Sequence, residues 1–174
     1  MSNFGAIYIQ LKDNTEKEFD EINSSLKAGG FLFTLRYHAS SPWAQTWADE
    51  PEGIPYYLKQ IADIFPSRRL IGISCQSTVD AIGFWDIADG KELRILEYGF
   101  YKERTWEKAE GVPQEWEAEV FEGREGYKKG ANMTTGLTTP FLTNFDVQKI
   151  GQILGLPGFG IPAPGEKWTK EIYN

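Results

Sequence analysis

Apolar and polar positions alternate from the first segment of the chain onward. Over residues 4–11, Ala6, Tyr8 and Gln10 alternate with Ile7, Ile9 and Leu11, and this two-residue period predicts a strand. A turn at Lys12-Asp13-Asn14 follows, after which Phe19, Ile22 and Leu26 recur along one helical face. Thr15 supplies an N-cap, Glu18 completes a capping box three positions on, and Gly29-Gly30 supplies the stop. Residues 31–38, FLFTLRYH, return to period two, with Phe31, Phe33, Leu35 and Tyr37 on one face.

Ser41-Pro42 has the form of a helix start, because serine satisfies an open amide and proline fits the first helical position. The short helix expected there carries Trp43 and Trp47 on one side, four residues apart. Turn residues Asp49-Glu50-Pro51-Glu52-Gly53 lead to a second helix opened by Pro55. Its apolar face is Ile54, Tyr57, Leu58, Ile61, Ala62 and Phe65, and Pro66 closes it. LIGISC from Leu70 reads as a buried strand. Asp89-Gly90 then separates VDAIGFWDIA from KELRILEYGF, the composition of a type I′ hairpin turn. A two-residue loop sets Phe84 opposite Ile95 and Trp85 opposite Arg94, and a slip of one residue would reverse every face.

Later elements are shorter. Residues 105–108 predict a strand, and Pro113 opens a helix with Trp116 and Val120 on one face. Residues 122–140 contain four glycines and little periodicity. Thr143 or Asn144 caps a last helix aligned on Val147, Ile150 and Leu154 and ended by Gly155. Residues 156–174, with three prolines and three glycines, predict an extended tail packed on the domain. With no repeat and no long linker, these elements compose one α+β domain over residues 1–174. A mainly antiparallel sheet is expected, with helices packed on one side.

Composition narrows the chemistry. Among 174 residues, 25 are acidic and 18 basic, for a formal charge of −7, which disfavours nucleic acid and anionic membranes as partners. Arg68-Arg69 and Lys128-Lys129 do not extend into a polyanion-tracking patch. Cys75 is the single cysteine and allows no intrachain disulfide. Residues 1–10 lack the basic region and cleavage site of a signal peptide, and no window is apolar enough to span a membrane, so a cytoplasmic setting is expected. His38 is the single histidine, and one histidine with one cysteine cannot fill a structural zinc set. Acidic positions such as Asp49, Glu50, Glu107, Glu110 and Glu115 read as solvated faces without EF-hand spacing. Phosphate-loop and nucleophile-elbow motifs are missing. Gly158-Phe159-Gly160 begins a nucleotide fingerprint that Pro162 interrupts. Neither cofactor nor metal is expected.

Four residues remain as catalytic candidates. Cys75 is a nucleophile only if a base lowers its pKa, and His38 is the one imidazole available as that base. Asp86 and Arg94, on the hairpin with Asp80 and Glu97, would form a charged site beside Trp85 if their strands converge. Trp43, Trp47, Trp85, Trp106 and Trp116 are the candidate interface anchors, from a chain holding 6 Trp, 8 Tyr and 11 Phe. The leading expectation is a noncatalytic, acidic, aromatic-bearing domain that binds another protein, in an inhibitory or immunity-like role. The alternatives are a small-molecule binder or compact enzyme with a polar pocket near residues 80–97, and a self-associating structural subunit.

Overall fold

The computed structural model describes residues 3–47, 53–76 and 78–174. The described residues form eight strands: β1 (Asn3–Gln10), β2 (Leu35–Tyr37), β3 (Trp43–Trp47), β4 (Leu70–Gln76), β5 (Ala81–Ala88), β6 (Lys91–Tyr98), β7 (Trp106–Gly111) and β8 (Lys170–Ile172). All pair antiparallel in one sheet ordered β7-β6-β5-β4-β1-β3-β2-β8. Four helices accompany them: α1 (Glu16–Ala28), α2 (Ile54–Ile64), α3 (Glu115–Phe121) and α4 (Asn144–Ile153). The fold is α+β, as the alternating and helical periods imply.

Helices cover both faces of the sheet, not one. On β1, Ala6 and Tyr8 join a cluster with Val120 and Phe121 of α3 and Val147 and Ile150 of α4. Ile7 and Ile9 point the other way, to Phe19, Ile22 and Leu26 of α1 and Leu58 and Ile61 of α2. Both alternating sets of the central strands are apolar, so a single helical layer would leave half of them in water.

Three local expectations are corrected. The segment opened by Ser41-Pro42 is strand β3, pairing Trp43 with Gln10 and Trp47 with Ala6. Trp43 and Trp47 still share a face, because a spacing of four satisfies both the helical and the strand period. Ser41 instead ties β3 to the chain just past α4: its hydroxyl donates to the Gly155 carbonyl at 2.7 Å, beside the Trp43 indole donating to the Leu154 carbonyl at 3.1 Å. Residues 31–38 are strand only at Leu35–Tyr37, although Phe31 and Phe33 pack on the same cluster as Leu35. In the hairpin, Asp89 and Gly90 take positive φ (50° and 67°) as a type I′ turn requires. A bulge then shifts the register, so that Phe84 faces Leu96, Trp85 faces Ile95, and Asp86 faces Arg94. The extra residue, Leu93, is 37% exposed, and the shift keeps Ile95 and Leu96 both buried on opposite faces.

The α2, α3 and α4 assignments agree with the structure. Strand β7 runs further than residues 105–108, and residues 122–140 hold no helix or strand. The tail at 156–174 ends in β8, which pairs with β2. The expected turn at residues 49–52 lies outside the described residues.

At α1 the Thr15 hydroxyl accepts from the Glu18 amide at 3.2 Å, but Glu18 does not close the expected box. Its carboxylate instead accepts the amides of Lys12, Asp13 and Asn14 and the Arg68 guanidinium. Asp146, in the first turn of α4, accepts the amide and hydroxyl of Thr143 and both arms of Arg124. Burial alone would raise both carboxyls, yet these donors hold both below the ordinary carboxylate range. A depressed folded pKa contributes stability above the unfolded value, lost as pH falls through the folded one. The urea midpoint is therefore expected to hold down to about pH 5 and then fall with further acid. Glu18→Gln should cost about 2–3 kcal/mol at pH 7 and flatten that fall, and an unchanged acid limb would contradict this assignment.

Candidate functional site

The four catalytic candidates do not meet in one concavity. Asp86, on β5, is fully buried and paired through both carboxylate oxygens with Arg69, at 2.9 and 2.7 Å. Arg94, on β6 and fully buried, makes a two-pronged pair with Glu117 of α3 at 2.8 and 2.7 Å. Its remaining arm donates to the carbonyls of Glu110 and Gly111 and to the Asn132 side chain. Asp86 and Arg94 are cross-strand neighbours, yet each is committed to another partner. Both act as struts.

His38 directly follows β2. Its Nδ1 accepts the Ser40 amide at 3.2 Å, and its Nε2 lies 3.8 Å from Glu166. Cys75, on β4, donates to the Asn144 side-chain oxygen. Burial, with a smaller push from Asp80, raises its thiol pKa to about 11, so at neutral pH it is a thiol with little nucleophilic thiolate. Among the described residues, no group of three or more His, Cys, Asp or Glu is placed to hold a metal, and no helix is long and apolar enough to cross a membrane.

Four of the five anchor tryptophans are core side chains. Trp43, Trp85, Trp106 and Trp116 are each 5% exposed or less, because their strands and α3 turn them into the two clusters. Trp47 alone of the five is half-buried, at the far end of β3.

Trp47 forms one wall of a cleft of about 540 Å³ between the sheet, α4 and the loop at residues 158–160. Phe4 stands edge-on to Trp47 at 5.0 Å and to Phe159 at 5.6 Å, giving three rings in edge contact. The opposite wall is α4, which presents Asn144, Gln148 and Gln152, and Cys75 also lines the cleft. None of the lining side chains is charged. Phe159 reaches this position because Gly151 of α4 has no side chain: a Cβ there would overlap the Phe159 ring. Next to the cleft, Phe145 is 81% exposed and precedes Gln148 by three residues on the same helical surface.

A second cleft, of about 670 Å³, lies between α2 and the β5–β6 hairpin. Leu58, Ala62, Trp85, Ile87 and Ile95 form its apolar part, with Lys59, Asp63, Lys91 and Glu92 among its charged lining. Glu97 accepts both the Trp85 indole at 3.1 Å and the Lys108 ammonium at 3.3 Å. The Trp85 ring lies across Gly83, where a Cβ would collide with it. This cleft lies beside residues 80–97 and has Glu97 and Lys108 in its lining, but not the candidates Asp86 and Arg94. Asp86 and Arg94 belong to the opposite face.

Phe4, Gln148 and Gln152 did not stand out in the sequence as site residues, and Asn144 and Phe159 entered only as a helix-cap candidate and as part of an interrupted glycine motif. The one local signal for them was a glycine inside a helical pattern, Gly151, which marks a close approach without saying what approaches. Comparison of the chain with protein-family models, curated proteins and solved structures finds no match in any of the three.

Proposed function

We propose that this protein is a noncatalytic interaction domain that binds another protein by taking one of its uncharged, apolar or aromatic side chains into the Phe4–Trp47–Phe159 cleft. The observation that carries this reading is the lining: three rings in edge contact facing three carboxamides, with no charge among them. Aromatic walls bury area at small conformational cost, while carboxamides satisfy backbone donors and acceptors on the incoming chain. A charged group entering there would lose its water without a counter-charge. The acid excess of the whole chain favours a partner with a basic surface and sets the encounter rate more than the final affinity. An inhibitory or immunity-like role follows where the captured segment belongs to the partner's working surface.

The test is recovery of a partner from native extract, followed by a cleft variant. Gln148 is exposed on α4, so Gln148→Glu leaves the core untouched. The added carboxylate strengthens long-range attraction to a basic partner, so any loss of binding must come from the cleft itself. Affinity for the recovered partner is expected to fall at least about tenfold. Equal binding by the variant would remove the cleft from the interface.

A second reading rests on the Trp85 cleft, whose apolar floor and Glu97–Lys108 pair suit a small amphipathic ligand. A ligand there would perturb Trp85 fluorescence without affecting partner recovery, which separates the two readings.

A further inference from the structure

The guanidinium of Arg36, on β2, makes cation–π contacts with two indoles, 4.0 Å from the Trp168 centroid and 4.9 Å from that of Trp47. Its Nε donates to the Gln45 side-chain oxygen at 2.9 Å. Gln45 is fully buried and donates in turn to the Tyr8 hydroxyl at 3.1 Å, which fixes the carboxamide with its oxygen toward Arg36. The guanidinium is thus in contact with two rings and held at one edge. Among the described residues, neither Nη donates a hydrogen bond. The nearest carboxylate, Glu171 of β8, stands 3.9 Å from Nη1, an electrostatic contact beyond bonding distance. The Arg36 side chain is 17% exposed, so it is not sealed from solvent.

A planar cation with two parallel N–H groups matches the two oxygens of a carboxylate. The two indoles beside the guanidinium are broader than it, so an aromatic group carrying the carboxylate has apolar ring surface next to the cation to pack against. We infer that Arg36, with Trp47 and Trp168, forms a binding site for a small aromatic carboxylic acid, separate from the uncharged cleft although Trp47 borders both. Burial draws the Arg36 pKa below its ordinary value, against opposing pulls from Glu171, Tyr8 and Tyr173. That direction is what an incompletely matched cation shows.

Benzoate titrated into the full chain at pH 7, followed by the indole N–H resonances of Trp47 and Trp168, tests the site. Saturable shifts at both indoles are expected with benzoate and none with its neutral isostere benzamide. Arg36→Lys keeps the charge but loses the planar fork, and should weaken benzoate binding at least about tenfold. Glu171→Gln removes the competing carboxylate from a solvent-facing edge strand and should tighten binding about two- to fivefold. Equal shifts with benzamide, or no saturation by benzoate, would overturn the inference, as would a folded Arg36→Lys protein that binds like the parent. If Arg36→Lys does not fold, Glu171→Gln decides: an unchanged benzoate affinity rejects the site.

Discussion

Arg94→Met is expected to lower the free energy of unfolding by about 3–5 kcal/mol, because it strands the buried Glu117 carboxylate without its counter-charge. The pair is fully buried on both sides, and Arg94 also satisfies two carbonyls at the end of β7 and the Asn132 side chain. One side chain thereby ties β6, β7, the first turn of α3 and the loop at 122–140 together. The loss appears as a drop in urea midpoint at pH 7. Arg94→Met with Glu117→Gln should recover part of it, since glutamine keeps an acceptor for the Gln114 amide, which Glu117 holds at 2.7 Å, and leaves no buried charge. A single variant costing under about 1 kcal/mol would reject the strut assignment.

Trp106→Ala should cost a comparable amount, about 3–5 kcal/mol, by emptying the largest fully buried site in the core. The indole meets Tyr98 at 5.0 Å and Phe121 at 6.1 Å, and donates to the Pro140 carbonyl at 2.8 Å. Its backbone exchanges hydrogen bonds with Leu137 and Gly136, so β7 is also the line along which the 122–140 loop is fastened. Alanine removes the packing and orphans the Pro140 carbonyl. Trp106→Phe restores most of the area but not the donor, and is expected to fall between the two. Limited proteolysis gives an independent readout: cleavage within residues 122–140 should accelerate in Trp106→Ala before the rest of the chain opens. Unchanged cleavage would show that the loop is held elsewhere.

The two expected losses bear on function through what they leave aside. The buried polar residues Arg94, Glu117 and Asp86, with Arg69, are consumed in holding layers together. The less committed groups lie in the uncharged cleft at α4, in the Glu97–Lys108 cleft, and at the edge of Arg36. Each of those places is suited to contact, and the experiments above distinguish them by different variants and readouts.

Local pattern determined a good deal here. The periods of Phe19, Ile22 and Leu26, of Ile54, Leu58 and Ile61, and of Val147 and Ile150 specify helices, because an amphipathic stripe has one way to be buried. Asp89-Gly90 specifies its turn, because positive φ at consecutive positions admits few residue pairs. Where a local pattern satisfies two structures at once, only the tertiary fold decides. Trp43 and Trp47, four apart, fit helix and strand equally, and the open edges of β1 and β2 made them strand. The hairpin register rested on a loop length, and the bulge at Leu93 displaced it by one residue, pairing Arg94 with Asp86 across the strands and aiming it at Glu117. The cleft residues lie far apart along the chain, at Phe4, Trp47, Cys75, α4 and Phe159, and only chain closure makes them neighbours. One-dimensional spacing records what a segment must bury, and it holds no information about which distant segment will do the burying.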